Sequence, residues 1–251
     1  MRETDLGILA SPLAPGEELC FEGREADGLL QDGLLCAGRH VVGYVESGVA
    51  SLVAPDLNWP VESISKAKAG KWVENAWRRW RRDDVSHQMC EFADELADAG
   101  TVLEVGCGPG GGLTPGVLQR NPHARVIMNE LSIRLLHLWR AHLRRAHTGA
   151  NVLFVAYDAS MLGVLRPNTV QAIANSHGFG STEDPDQALL AAYCAAAPGA
   201  LVRFTDLVVD PEEWRRLPES FRQKWSKIVC DGWCERLTKA GFEIESHELV
   251  N

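Results

Sequence analysis

Three carboxylic acids in this chain each stand in or just past a short apolar run: Glu104 inside Val102-Leu103-Glu104-Val105, Glu130 after Arg125–Met128, and Asp158 after Val152–Val155. The first run opens directly into Gly106, Gly108 and Gly110, with Gly111 and Gly112 close behind. Glycine has no Cβ, so a ligand can lie directly against the backbone there. A helix from about Leu113 would aim its first free N–H groups into the same cleft. An acid roughly 20 residues beyond such a turn can accept hydrogen bonds from both hydroxyls of a ribose. A fourth apolar run, Val170–Ala174, ends in Asn175-Ser176-His177-Gly178-Phe179-Gly180. An imidazole ordinarily titrates near neutrality, which makes His177 the candidate general base, with Asp206 a second candidate further on. These residue types and spacings suit a site that holds a nucleoside and moves a proton.

To bring them together the chain needs parallel strands whose carboxyl ends meet. The β-branched runs read as strands buried on both faces. Between them lie amphipathic stretches, such as Ile133–Leu143 with Leu136, Leu138 and Trp139, and a helix over Pro185–Ala197. The fold predicted is α/β: a Rossmann-like, doubly wound, mostly parallel sheet with flanking helices, plus a small β-rich module at the N-terminus. The fifth strand is expected over Leu201–Leu207 and a last strand over Phe242–Val250, with no sequence left for a seventh; Pro211–Val229, longer than a simple connection requires, is a candidate cap over the active site that would shape an apolar acceptor pocket. Residues 1–57 form the small module, with many glycines and short apolar pairs; residues 58–251 form the main domain. From Val61 to Ala99 the pattern is helical, and Trp72, Ala76 and Trp80 share one face next to Trp77 and the basic run Arg78–Arg82. This segment is a candidate lid over ligand and substrate. Cys230 and Cys234, one helical turn apart, are expected as ordinary buried cysteines.

The G-x-G-x-G spacing with Glu104 two residues ahead of it resembles motif I of the class I methyltransferases that use S-adenosylmethionine (SAM). The resemblance covers about residues 85–250. It implies that SAM is the cofactor, held by Glu104, Gly106, Cys107, Gly108, Gly110, Glu130, Leu131, Asp158, Ala159 and Asn175. Glu130 would take the ribose hydroxyls and Asp158 the adenine amino group. Trp72, Trp77, Phe179 and Trp225 are the candidate substrate contacts and His177 the catalytic residue. The chain departs from the family at Tyr157, usually a small residue, and at Gln171, often an aspartate. Cys20 through Gly48 resembles the zinc ribbon that precedes the methyltransferase domain of large-subunit rRNA guanine methyltransferases. Gly23 stands where that ribbon has a cysteine, so no metal is expected, and Cys20, Cys36 and His40 are the candidates if one is held.

Net charge of −9 argues against a broad phosphate-binding surface. Seven scattered cysteines suggest reduced thiols, and the absence of a signal-peptide pattern or a spanning apolar run suggests a cytoplasmic protein without a membrane partner. The reading is a SAM-dependent methyltransferase acting on an oxygen or nitrogen, less readily a sulfur or carbon, of a small-molecule metabolite. The alternatives are an rRNA base methyltransferase and a SAM-binding protein without catalysis. A homo-oligomer is compatible with all three.

Overall fold

The structure is a computed structural model and describes residues 1–11, 13–14, 16–52, 65–82, 84–206, 211–225 and 232–246. Its centre is formed by β5 (Thr101–Val105), β6 (Arg125–Glu130), β7 (Val152–Ala156) and β8 (Val170–Ser176), all parallel, with β9 (Ala196–Thr205) parallel at the edge beside β8. Helices α3 (Thr114–Arg120) and α4 (Ile133–Arg145) follow β5 and β6, and α5 (Pro185–Ala195) leads into β9. Each of the four inner apolar runs predicted as strands is one, because side chains alternate between two packed faces. Val102, Val126, Phe154 and Ala172 pack toward α3 and α4, whereas Leu103, Ile127, Val155 and Ile173 pack toward α5. The same alternation turns Glu104 toward α3, the fact on which its chemistry rests.

The expected N-terminal strands are present but they extend the main sheet. β1 (Leu19–Ala26), β2 (Leu29–Ala37) and β3 (His40–Glu46) form an antiparallel meander, and β4 (Val49–Ser51) pairs antiparallel with β3 and parallel with β7. The result is one sheet of nine strands in the order β1-β2-β3-β4-β7-β6-β5-β8-β9. Leu30, Leu35 and Val45 share a core with Leu103 and Ile173. The segment between β7 and β8 contains no helix; Leu6, Ile8 and Leu9 fill the space instead, and Ala10 N–H donates to the Val164 carbonyl at 2.8 Å while Arg166 N–H donates to that of Ile8 at 2.8 Å. The expected boundary at 57/58 lies outside the described residues.

Cys20 and Cys36 face each other across β1 and β2, and Cys20 Sγ donates to the Cys36 carbonyl at 3.5 Å. Among the described residues no group of three or more His, Cys, Asp or Glu side chains is arranged to hold a metal ion, and His40 opens β3 on the exposed side.

The helical stretch before β5 is two helices, each started by a serine whose Oγ accepts a backbone N–H: α1 (Lys66–Arg81) by Ser65 and α2 (His87–Ala97) by Ser86. α1 does not reach over the carboxyl ends of the strands. It lies on the outside of α3 and α4, with Trp80 buried against Gly116 and Val73 in the same core. Two further expectations, on the fifth strand and on the last one, are corrected. β9 starts five residues earlier than expected and carries Pro198-Gly199 within it, accommodated by a register shift against β8. Among its described residues, the Pro211–Val229 connection holds α6 (Pro211–Arg216) and α7 (Glu219–Trp225), separated at Pro218, which cannot continue a helix. Phe242–Ser246 is not a strand; Phe242 packs edge-on against Tyr193 after α8 (Trp233–Ala240) ends at Gly241. Among the described residues no strand pairs with the outer edge of β9. Cys234 is exposed, and Cys230 lies outside the described residues. No helix is long and apolar enough to cross a membrane among the described residues.

Candidate functional site

Strand order reverses beside β5: the chain runs β5, β6, β7 to one side and β8, β9 to the other. The loops leaving β5 and β8 therefore part at their carboxyl ends, which is where an open α/β sheet binds its ligand. The glycine turn occupies this position. It is held from below by Glu104, which is fully buried. Oε2 of Glu104 accepts N–H bonds from Leu113 at 2.8 Å and Thr114 at 3.0 Å, and the Thr114 hydroxyl at 3.4 Å, so one carboxyl oxygen caps the start of α3. Gly112, at φ +55°, lies so close that an added Cβ would overlap Glu104 Oε1. That oxygen is buried and has no hydrogen-bond partner. Burial raises the Glu104 pKa to about 8, against the lowering effect of its donors.

From above, β6 clamps the same turn. Glu130 Oε2 accepts the Gly108 N–H at 2.8 Å, while Oε1 accepts those of Leu131 at 2.8 Å and Ser132 at 3.2 Å. Burial also raises the Glu130 pKa. Asn129 Oδ1 accepts the Gly106 N–H at 3.2 Å and its amide donates to the Tyr157 carbonyl at 2.9 Å, tying the tips of β5, β6 and β7 together. Trp139 of α4 donates its indole N–H to the Gly108 carbonyl at 2.9 Å. Cys107 contributes backbone to this mesh, through a 2.9 Å bond to the Asn129 carbonyl; its thiol is buried and its pKa is pushed well up by burial. Asn129 and Trp139 are site-building residues that the sequence reading missed. The only sequence signal for Trp139 was its place on the apolar face of α4.

At the tip of β7, Asp158 is partly exposed. Its Oδ1 accepts the Ser160 N–H at 2.9 Å and the Ser160 hydroxyl at 2.7 Å, so Ser160 fixes the carboxylate. Ala159, beside it, lines with Tyr157 and Val105 a void of about 10 Å³, room for about one water, and burial raises the Tyr157 pKa. Asn175 is wholly buried with its amide committed at both ends: Oδ1 accepts the Phe179 N–H at 2.8 Å, and Nδ2 donates to the Thr205 carbonyl at 2.8 Å. It braces the loop after β8 and does not face the cleft. Gly178 is pressed onto β5, where an added Cβ would overlap the Val105 carbonyl oxygen. His177 sits between them at φ +63°, its N–H donating to the Thr205 carbonyl at 2.9 Å. Its side chain is half-exposed, and Nδ1 is 3.7 Å from Oδ1 of Asp206, a carboxylate with no exposed surface. Asp206 Oδ2 accepts the Gly180 N–H at 3.1 Å. The two residues that the sequence suggested as alternatives for one role are thus neighbours.

The predicted substrate contacts do not gather here. Trp77 meets His142 edge-on at 5.5 Å between ring centroids, and its carbonyl accepts from Gln119 at 3.2 Å. His142 and Gln119 belong to the last turns of α4 and α3, the ends directed away from the strand tips. Trp72 is on the outer surface under Lys68. Phe179 is buried and stacked on Phe204, which contacts Trp233 in turn. The side chain of Trp225 lies outside the described residues.

Two features show that the residues present fit SAM. The buried, partnerless Oε1 of Glu104 lies under the turn, an acceptor left over for an amino group of the ligand. An added Cβ would meet nothing within 4 Å at Gly110 and only the Gly106 carbonyl, at 4.0 Å, at Gly108, so the turn's outer face is bare.

Residues 103–204 match the family model described as a methyltransferase domain. A search of curated proteins by sequence finds no match. Among solved structures the chain is similar to the [4+2]-cyclase SpnF, at 21% identity and a TM-score of 0.51, over 62% of this chain and 58% of that one. It is similar also to a putative methyltransferase (BH2331) from Bacillus halodurans C-125, at 17% identity and a TM-score of 0.51, over 62% of this chain and 70% of that one. The chain therefore spans less than two thirds of the cyclase's length. At these identities the likeness is one of fold, that of the Rossmann-like methyltransferases. The family match and the fold likeness thus meet on residues 103–204, the segment that carries the glycine turn, Glu130, Asp158 and Asn175.

Proposed function

We propose that this chain is a SAM-dependent methyltransferase, that it methylates an oxygen or nitrogen of a small-molecule metabolite, and that His177 is the base. The observation that carries this reading is the pairing of a half-exposed imidazole with a sealed carboxylate at the sheet's ligand end. At 3.7 Å from Nδ1, Asp206 acts through its charge, which would favour the imidazolium formed when Nε2 takes the substrate's proton. Bound SAM supplies an electrophilic methyl group on a sulfonium, and the acceptor's lone pair forms the new bond as the sulfur–carbon bond breaks. Most of the acceleration in such an in-line displacement comes from holding nucleophile and methyl close and aligned. Asn175, Gly178 and the 2.9 Å bond from His177 to Thr205 fix the loop that would do this. Glu104 would hold the methionyl end, Glu130 the ribose, and Asp158, through the oxygen that Ser160 leaves open, the adenine amino group. The free cysteines, with Cys20 facing Cys36 unbonded, support a reducing, cytoplasmic setting.

A SAM-binding protein that does not methylate is the second reading, and the fold likeness to a cyclase favours it. Incubation with SAM labelled on the methyl group and a panel of phenols, amines and carboxylates separates the two. Label in an acceptor, lost by roughly 10²-fold or more in His177→Ala with SAM affinity kept, supports the base. Wild-type turnover in His177→Ala refutes the assignment, and SAM binding without transfer to any acceptor favours the second reading.

A further inference from the structure

The chain is acidic overall, but the fold sorts its charge. Lys66–Arg82 and Ile133–Arg145 together contain 11 of the 25 lysines and arginines and one of the 34 acids, Glu74. The remainder of the chain has 14 cations against 33 carboxylates. These two basic stretches are α1 with its C-terminal cap and α4, which pack side by side on the outside of the sheet. Every one of the eleven is exposed except Arg140, which is half-buried. Lys68, Lys71, Arg78 and Arg81 have no carboxylate at salt-bridge distance among the described residues. Arg78 is instead bonded to Asn75, and Arg79 to the Asp84 carbonyl at 3.0 Å. Burial first, and then Arg144 beside Arg140, Arg145 beside His142, and Arg140 with Lys66 near His137, favours loss of a proton from these groups, while Asp32, Glu46 and Glu74 act in the opposite sense.

We propose that the α1–α4 face binds single-stranded nucleic acid through its phosphodiester backbone. Eight of the eleven cations are arginine, whose planar guanidinium matches phosphate in two-point contacts. Trp72 is exposed on α1, with Lys68 Nζ 5.1 Å from its ring centre, an arrangement on which a base can stack. Trp72 is the one large hydrophobic residue exposed there among the described residues, which is too little apolar surface for insertion into a membrane or for the core of a protein interface. A regular line of phosphates with releasable counterions best matches a surface on which cations outnumber the few carboxylates (Glu74 on α1, and Glu46 beside His137 of α4) and apolar groups are scarce. The inference does not depend on the acceptor: the face is on the outer helical layer, and the acceptor is held at the strand tips.

The test is fluorescence anisotropy with a labelled single-stranded RNA of mixed sequence, about 20 nucleotides long, from about 50 to 200 mM salt. Binding should weaken steeply with salt. Reversing Arg78, Arg81, Arg144 and Arg145 to glutamate should weaken it by about tenfold or more and lower the salt slope by roughly one for each phosphate that is no longer neutralised. Trp72→Ala should weaken it by about tenfold while leaving the salt slope unchanged. Circular dichroism and thermal melting confirm that the variants are folded. The proposal is overturned if the wild type does not bind the RNA at the lowest salt, if the reversed variant binds as well as the wild type, or if anionic phosphatidylserine vesicles or polyglutamate bind as tightly as RNA.

Discussion

Replacing Glu104 by glutamine should change how stability depends on pH more than it changes stability itself. In the folded protein the carboxyl keeps its proton up to about pH 8, whereas the unfolded chain releases it near the ordinary value of 4.5. A raised carboxyl pKa works against folding as pH rises: between these two values the unfolded state loses a proton that the folded state retains. At about 1.4 kcal/mol for each unit, the loss reaches a ceiling of roughly 5 kcal/mol above pH 8. Glutamine keeps a carbonyl oxygen for the N–H groups of Leu113 and Thr114, and sets an amide where Oε1 faces Gly112. Near pH 5 the variant should be the less stable protein by about 1–3 kcal/mol, the cost of an unpartnered buried amide. By pH 9 the order should reverse. Urea unfolding at pH 5, 7 and 9 measures both. Taking the difference between the proteins cancels the similar effect of Glu130, whose carboxyl is raised as well. A difference that stays constant from pH 5 to 9 would show that Glu104 is ionised in the folded protein and refute the burial argument.

Two smaller changes probe the loops. Gly178→Ala forces a methyl onto the Val105 carbonyl and against Asn175 Oδ1, so the loop after β8 must lift; a loss of about 2 kcal/mol or more is expected in thermal or urea melting, and an unchanged midpoint would mean the loop is loosely seated. Asp158→Asn retains an oxygen for Ser160 but puts a donor where the adenine amino group would bind; calorimetry should find SAM affinity lowered by about tenfold or more with melting little changed, and equal affinity would remove Asp158 from the nucleoside site.

The parallel sheet and its ligand end were legible because they depend on local signals. Val102, Val126 and Val152 lie in runs with the composition of doubly buried strands, and five glycines crowd into residues 106–112, directly after the first of them. Burial direction was less legible. Phe179 and Asn175 follow a strand tip as cleft residues do, but the tight seat of Gly178 on Val105 turns both inward. The helical period of α1 was evident, and the α3–α4 partner of its tryptophan face was not, because periodicity defines a stripe without naming what covers it. In the same way, the glycine-rich N-terminal pattern announced strands without saying that β4 would find β7 about a hundred residues later. That pairing is a property of the whole sheet, outside the reach of any window of sequence.

The β4–β7 seam bears on how the molecule assembles. The meander leaves the ribosome ahead of the parallel strands and can form its hairpins at once, but Ala50 and Ser51 have no parallel partner until Val155 and Ala156 are synthesised. Until then the flank of β4 is an open edge, able to recruit the wrong strand. Closing the sheet therefore brings together older and newer parts of the nascent chain. A chaperone that shields β4 during that wait would protect the yield of this protein more than one acting on its finished surface.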